Sequence, residues 1–142
     1  KAAGYFQSQG IQGKHISLIA PNSYEWAVAF FGILASGNVA IMMNQDLPAD
    51  LQQWQFAKAD IALFCSDSDY AQRLGQNHPQ MPGVSFETML ASEPIAPEEI
   101  YVSDEDETVS MLFTSGTTGN SKAVELTAEN WRYSAGFSAY LP

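Results

Sequence analysis

Between residues 15 and 65, three short apolar runs alternate with two stretches of helical periodicity, and this alternation restricts the fold more than any other feature of the chain. The first run, His15–Ala20, follows Gly10-Ile11-Gln12-Gly13 and stops at Pro21, which predicts a strand. Asn22 with Glu25 three residues later has the spacing of a capping box. Trp26, Phe30 and Leu34 then repeat every four residues beside Ala27 and Phe31 until Gly37 ends the helix. Val28 and Ile33 make this helix apolar nearly all round, so it is expected between two layers. Val39–Met43 reads as a second strand, Pro48 as the first residue of a helix running through Lys58, and Asp60–Cys65 as a third strand. Strand-helix-strand-helix-strand with short connections predicts an α/β fold, a parallel βαβαβ sheet with right-handed crossovers and helices on its faces. A dinucleotide-binding version would need G-x-G-x-x-G at the first strand-to-helix turn, where Ala20-Pro21-Asn22-Ser23-Tyr24-Glu25 stands instead.

After Asp67 the pattern loosens. Asn77-His78-Pro79 and Met81-Pro82-Gly83 mark turns, and Ser85–Leu90 reads as a short helix. Six acids crowd residues 98–107, so 93–107 is expected to be an acidic, solvated connector; the spacing is not that of a calcium loop. Six Lys and Arg against sixteen Asp and Glu leave a net charge of −10, which disfavours nucleic acid and anionic lipid surfaces as partners. The uncharged stretch Trp26–Gln45 is broken by Ser36-Gly37-Asn38, so a buried helix and strand explain it better than a transmembrane segment. Cys65 is the one cysteine, which excludes a disulfide framework; with no targeting signal, a cytoplasmic location is expected. The opening Lys1-Ala2-Ala3-Gly4-Tyr5-Phe6 reads like the interior of a longer protein, so residues 1–142 are expected to be a single partial domain.

The chemistry is concentrated near the end. Thr108–Phe113 reads as a strand running directly into Thr114-Ser115-Gly116-Thr117-Thr118-Gly119-Asn120-Ser121-Lys122, a segment without an apolar residue. Hydroxyl donors, close backbone approach at Gly116 and Gly119, and the mobile charge of Lys122 are what a polyphosphate requires. A Walker A loop would read G-x-x-x-x-G-K-[ST] and open a helix. Here two residues separate the glycines, and Ala123-Val124-Glu125-Leu126-Thr127 alternates like a strand, so the loop is expected to join two strands.

The stretch Met111–Lys122, MLFTSGTTGNSK, resembles the phosphate-binding signature of the AMP-forming adenylating enzymes, which include acyl-CoA synthetases, peptide-synthetase adenylation domains and luciferases. Residues 124–130 continue in the family's style. Gly13–Asp46 is similar to the segment that holds its first strands and helices, so the resemblance covers almost the whole chain. It implies the N-terminal portion of an AMP-binding domain in an ATP-dependent carboxylate-activating ligase, and an acyl-CoA synthetase before an amino-acid-adenylating enzyme. It further implies that Thr114, Ser115, Gly116, Thr117, Thr118, Gly119 and Lys122 hold the β- and γ-phosphates of ATP, with Lys122 also catalytic. ATP with Mg²⁺, a small-molecule carboxylic acid and coenzyme A as second substrate are the implied cofactors and partners. Ala123, where the family commonly has Gly, and Ala128, where His is frequent, are departures that remove no phosphate ligand. The family's adenine, ribose and C-terminal lysine motifs are not among these residues, so the chain alone is expected to be catalytically inactive and to self-associate through an uncovered apolar face. Two other readings are a binding module that kept the loop without catalysis, and a P-loop kinase, which would place a helix after Lys122.

Elsewhere the residues read as structural. His15 and His78 lack partners for acid–base work, and Cys65 ends an apolar strand as a packed thiol. Trp26, Phe30, Phe31 and Trp54 are expected in the core, Glu125 and Glu129 facing solvent or a helix start, and Thr127 as the N-cap of a final helix. No metal-ligating set is assigned.

Overall fold

The computed structural model describes residues 1–114 and 121–138. The chain runs α1 (Ala2–Ser8), β1 (His15–Leu18), α2 (Tyr24–Ala35), β2 (Val39–Met42), α3 (Ala49–Lys58), β3 (Ile61–Ser66), α4 (Ser68–Asn77), β4 (Gly83–Ser85), α5 (Phe86–Leu90), a 3₁₀ turn (Pro97–Glu99), β5 (Thr108–Thr114), β6 (Lys122–Thr127) and α6 (Ala128–Ser138). One sheet holds the strands in the order β4-β3-β1-β2-β5-β6. The first five are parallel, and β6 returns antiparallel along β5.

The strands are short and nearly continuously apolar because both faces of the sheet are covered. On one face Phe6 of α1, Phe30 and Ile33 of α2, and Phe86 and Met89 of α5 pack over Ile16, Leu18, Ala40 and Cys65. On the other, Phe56 of α3 and Leu74 of α4 pack over Ile41, Met43, Phe64 and Met111. A register shift against β1 gives β3 one extra residue, so Ile61 faces the second core while Leu63 faces the first. Each fully buried Phe in these clusters contributes about 1.5–3 kcal/mol relative to exposure.

Local details differ from the sequence expectations at several points. The cap of α2 is Ser23, not Asn22: its backbone is extended and its Oγ accepts from the Trp26 N–H at 3.0 Å. Pro48 is likewise the cap of α3 and not its first residue. Helices α1 and α4 were not anticipated, because α1 is a seven-residue helix of mostly small residues and α4 buries only Leu74. What fixes α4 is Asp67, whose Oδ1 accepts from the Tyr70 N–H at 2.8 Å. Helix α2 does lie between the sheet and α1, but Tyr24 and Phe31 remain 77% and 64% exposed. Trp54, expected in the core, is 41% exposed and tilts against Phe113 at 6.2 Å.

Gly37, Thr127, His15 and Cys65 take the structural places expected of them. Gly37 ends α2 at φ 71°. The Thr127 Oγ1 accepts from the Asn130 N–H at 3.3 Å while Asn130 Oδ1 accepts from the Thr127 N–H at 3.0 Å, a reciprocal cap for α6. His15 Nδ1 lies 2.6 Å from the Ala59 carbonyl oxygen, and Cys65 is fully buried, where desolvation pushes its thiol well above the ordinary range. In the acidic segment Tyr101 donates to both carboxylate oxygens of Glu107 at 3.0 Å, which raises the tyrosine above its usual pKa.

Candidate phosphate-binding site at the carboxyl edge

Parallel strands leave one edge of a sheet lined by strand C-termini, and loops at that edge carry ligand sites in open α/β folds. Strand β5 delivers Thr114 to this edge, and β6 takes the chain back from Lys122. Thr114 and Lys122 face each other as the last pair of the antiparallel ladder, and Thr114 Oγ1 donates to the Lys122 carbonyl at 3.4 Å. The pairing fixes both ends of the segment between them. Ser115, Gly116, Thr117, Thr118 and Gly119 lie outside the described residues.

The Lys122 side chain is exposed and makes no ion pair among the described residues. Ser121, Lys122 and Ala123 line a groove of about 780 Å³ together with Trp54 and Lys58 of α3, and it reaches His15 and Asp60 at the amino ends of β1 and β3. Lys122 begins a strand and not a helix, which removes the P-loop kinase reading. An ammonium group and hydroxyls at a strand end form a donor set suited to anionic oxygens. Glu125 on β6 accepts from Thr108 Oγ1 at 3.2 Å and is exposed, and Glu129 sits in the first turn of α6. Among the described residues no cluster of three His, Cys, Asp or Glu side chains gathers as a metal site.

A second cleft, of about 460 Å³, opens at the carboxyl ends of β1 and β2 between Pro21, Asn22 and Trp26 on one side and Asn44, Gln45 and Asp46 on the other. Trp26, stacked on Phe30 at 5.7 Å, thus serves both core and cleft. Sequence alone does not place the β2–α3 turn here, since Asn44-Gln45-Asp46 carries only turn chemistry. Nor does it single out the buried polar residues Gln52 and Gln55 of α3, a helix with no clean apolar stripe, or show that His78, read as structural, would be buried with them.

A sequence profile of the family described as AMP-binding enzyme matches residues 1–140. The chain belongs to this family. It is 26% identical over 134 residues to a 2-succinylbenzoate–CoA ligase of Bacillus cereus, covering 92% of this chain and 26% of that protein. It is 32% identical over 115 residues to malformin synthetase of Aspergillus sclerotiicarbonarius, covering 80% of this chain and 2% of that protein. Its fold matches o-succinylbenzoate CoA synthetase of Bacillus subtilis in complex with the acyl-adenylate intermediate OSB-AMP, with TM-score 0.83, 23% identity, and coverage of 97% of this chain and 36% of that one. The same synthetase in complex with ATP and magnesium ion matches at TM-score 0.82 and 20% identity, covering 97% and 37% of the respective chains. The chain therefore spans about a quarter of the length of the curated CoA ligase. Among the described residues, no helix of this AMP-binding family chain is long and apolar enough to cross a membrane.

Proposed function

We propose that this chain is the N-terminal portion of the AMP-binding domain of an ATP-dependent ligase that converts a carboxylic acid and ATP into an acyl-adenylate and pyrophosphate, and that the thiol of coenzyme A then accepts the acyl group with release of AMP. The observation that carries this reading is the paired strand end: Thr114 and Lys122 hold the two ends of a Ser/Thr/Gly segment together at the carboxyl edge, with the Lys122 side chain exposed. It is supported by family membership, by the CoA ligase among the relatives, and by the ATP, magnesium and acyl-adenylate complexes of a structural neighbour.

In the proposed step a carboxylate oxygen attacks the α-phosphorus, a new acyl–phosphate bond forms, and the bond to the β-phosphate breaks as pyrophosphate leaves with its electron pair. Negative charge grows on the departing group. Thr114 to Gly119 would offer N–H and hydroxyl donors there, and Lys122 an ammonium on a flexible stem, stabilising the transition state more than the ground state. When bound with ATP, Mg²⁺ would supply further positive charge to the same phosphates that Lys122 faces in this reading.

The test is carboxylate-dependent ATP–pyrophosphate exchange by the full-length protein with fatty, aryl and amino acids. Exchange with a fatty or aryl acid, reduced about 10²-fold or more by Lys122→Ala with little change in unfolding midpoint, is the expected result. Undiminished exchange in Lys122→Ala would remove the lysine from the mechanism. Exchange with amino acids alone would favour the amino-acid-adenylating alternative, and none with any acid the non-catalytic binding module.

A further inference from the structure

Behind the second cleft lies a buried polar cluster for which the proposed adenylation step has no use. Gln52 of α3 and His78 just after α4 are only 2% and 5% exposed. Gln52 Nε2 donates to the main-chain oxygen of Gln45 at 3.3 Å and lies 3.4 Å from the Tyr70 hydroxyl. That hydroxyl, from α4, donates to the same Gln45 oxygen. At its other end Gln52 Oε1 lies 3.2 Å from His78 Nε2, and His78 Nδ1 lies 3.0 Å from Gln53 Oε1. Side-chain donors from two helices therefore converge on one carbonyl of the β2–α3 turn.

The turn does not hold itself. Asn44 Oδ1 accepts from the Asp46 N–H at 2.9 Å, but the Gln45 side-chain oxygen is buried with no partner among the described residues. An unpaired buried acceptor disfavours the conformation that buries it, so bonds from elsewhere must keep it there. The place that is kept has a neighbour of consequence. Met42, the last residue of β2, pairs with Leu112, two residues before Thr114, so the turn leaves β2 at the sheet edge where the phosphate-binding segment begins.

We infer that Gln52 and Tyr70 are positioning residues that clamp the Gln45 carbonyl and make residues 44–46 a fixed wall beside the phosphate-binding strand. The clamp acts through the turn, touching no reacting atom. Its consequence for ATP rests on the function proposed above; the clamp itself does not.

The test uses the full-length protein and variants that keep shape. Tyr70→Phe retains the ring that lies 4.6 Å from the Arg73 guanidinium carbon, and Gln52→Met retains the length of the side chain. Ile33→Val, in the core on the far face of the sheet, is the control for a general loss of stability. Hydrogen exchange at the amides of residues 44–47 should quicken about threefold to tenfold in both clamp variants and stay unchanged in the control. The dissociation constant for ATP with Mg²⁺, read by calorimetric titration independently of turnover, should rise by about the same factor in the clamp variants alone. Unchanged exchange at 44–47 overturns the clamp. Faster exchange with unaltered ATP affinity overturns its role as a wall of the nucleotide site. A protein that binds ATP in this pattern yet shows no carboxylate-dependent exchange would sustain the clamp while the adenylation reading fails.

Discussion

At the scale of single residues, small size and buried polarity explain more than charge does. Gly83 of β4 lies against the ring of Phe64 so closely that a Cβ would overlap its Cζ, Cε1 and Cε2 atoms. Phe64 is itself fully packed between α3, α4 and the sheet, so it has little room to yield. Gly83→Ala should therefore lower stability by about 1–3 kcal/mol, measured by urea unfolding with an unchanged m-value. His78 supplies a pH dependence. Burial holds its imidazole below the ordinary value of 6.5, so the folded chain resists the proton that the unfolded chain accepts. As pH falls through the ordinary histidine value toward the lowered one, the unfolded state binds more protons and stability drops; above it the contribution is flat. The melting midpoint of the wild type should accordingly fall more between pH 7.5 and 5.5 than that of His78→Gln; equal slopes would count against this account. The sequence marked His78 as structural, but its partners Gln52 and Gln53 lie 26 and 25 residues away and meet it only through the packing of α3 on the segment after α4.

At the scale of elements, caps and close contacts set the boundaries. Helix α1 crosses α2 at Gly32, where an added Cβ would overlap Ala2. This explains why a short run of small residues makes a helix at all: Ala2 and Ala3 are buried because α2 lets their backbone approach, while Gly4 is buried against the Glu93 carbonyl. Gly32→Ala should push α1 away and raise proteolytic cleavage within residues 1–12 before the rest of the chain unfolds. For α6 the reciprocal bonds of Thr127 and Asn130 join the helix to β6, and the Trp131 indole N–H donates to Ser110 Oγ at 2.9 Å beneath it. Thr127→Val removes the cap at similar volume and should cost about 1 kcal/mol in chemical denaturation, while Thr127→Ser should cost much less. The Arg132–Glu105 ion pair, at 2.7 Å with both side chains more than half exposed, contributes little to this junction.

At the scale of the whole molecule, the sheet is covered unevenly. Helices lie over both faces of β1, β2 and β3, whereas β6 forms an edge of the sheet with Val124 39% exposed, and Trp54 and Phe31 are open on opposite faces. An open strand edge and apolar side chains on both faces are pairing surfaces. We expect the 142-residue chain to associate with itself, seen as a concentration-dependent sedimentation coefficient; a monomer at high concentration would exclude this.

The sequence by itself determined the α/β class, the order of the first three strands and two helices, and the two strands that end at Thr114 and begin at Lys122. Those features are written in local patterns: apolar runs ended by Pro21 and Gly37, and a polar segment between two alternating strands. It could not determine what depends on distant residues. The small helix α1 exists because Gly32 admits it, α4 because Asp67 caps it over Leu74, and the 44–46 turn because Gln52 and Tyr70 reach its carbonyl from two helices. Hydrophobic periodicity records which residues face a core. Which polar groups meet inside that core is decided only when the elements pack, because each buried donor must find its acceptor wherever the fold places one.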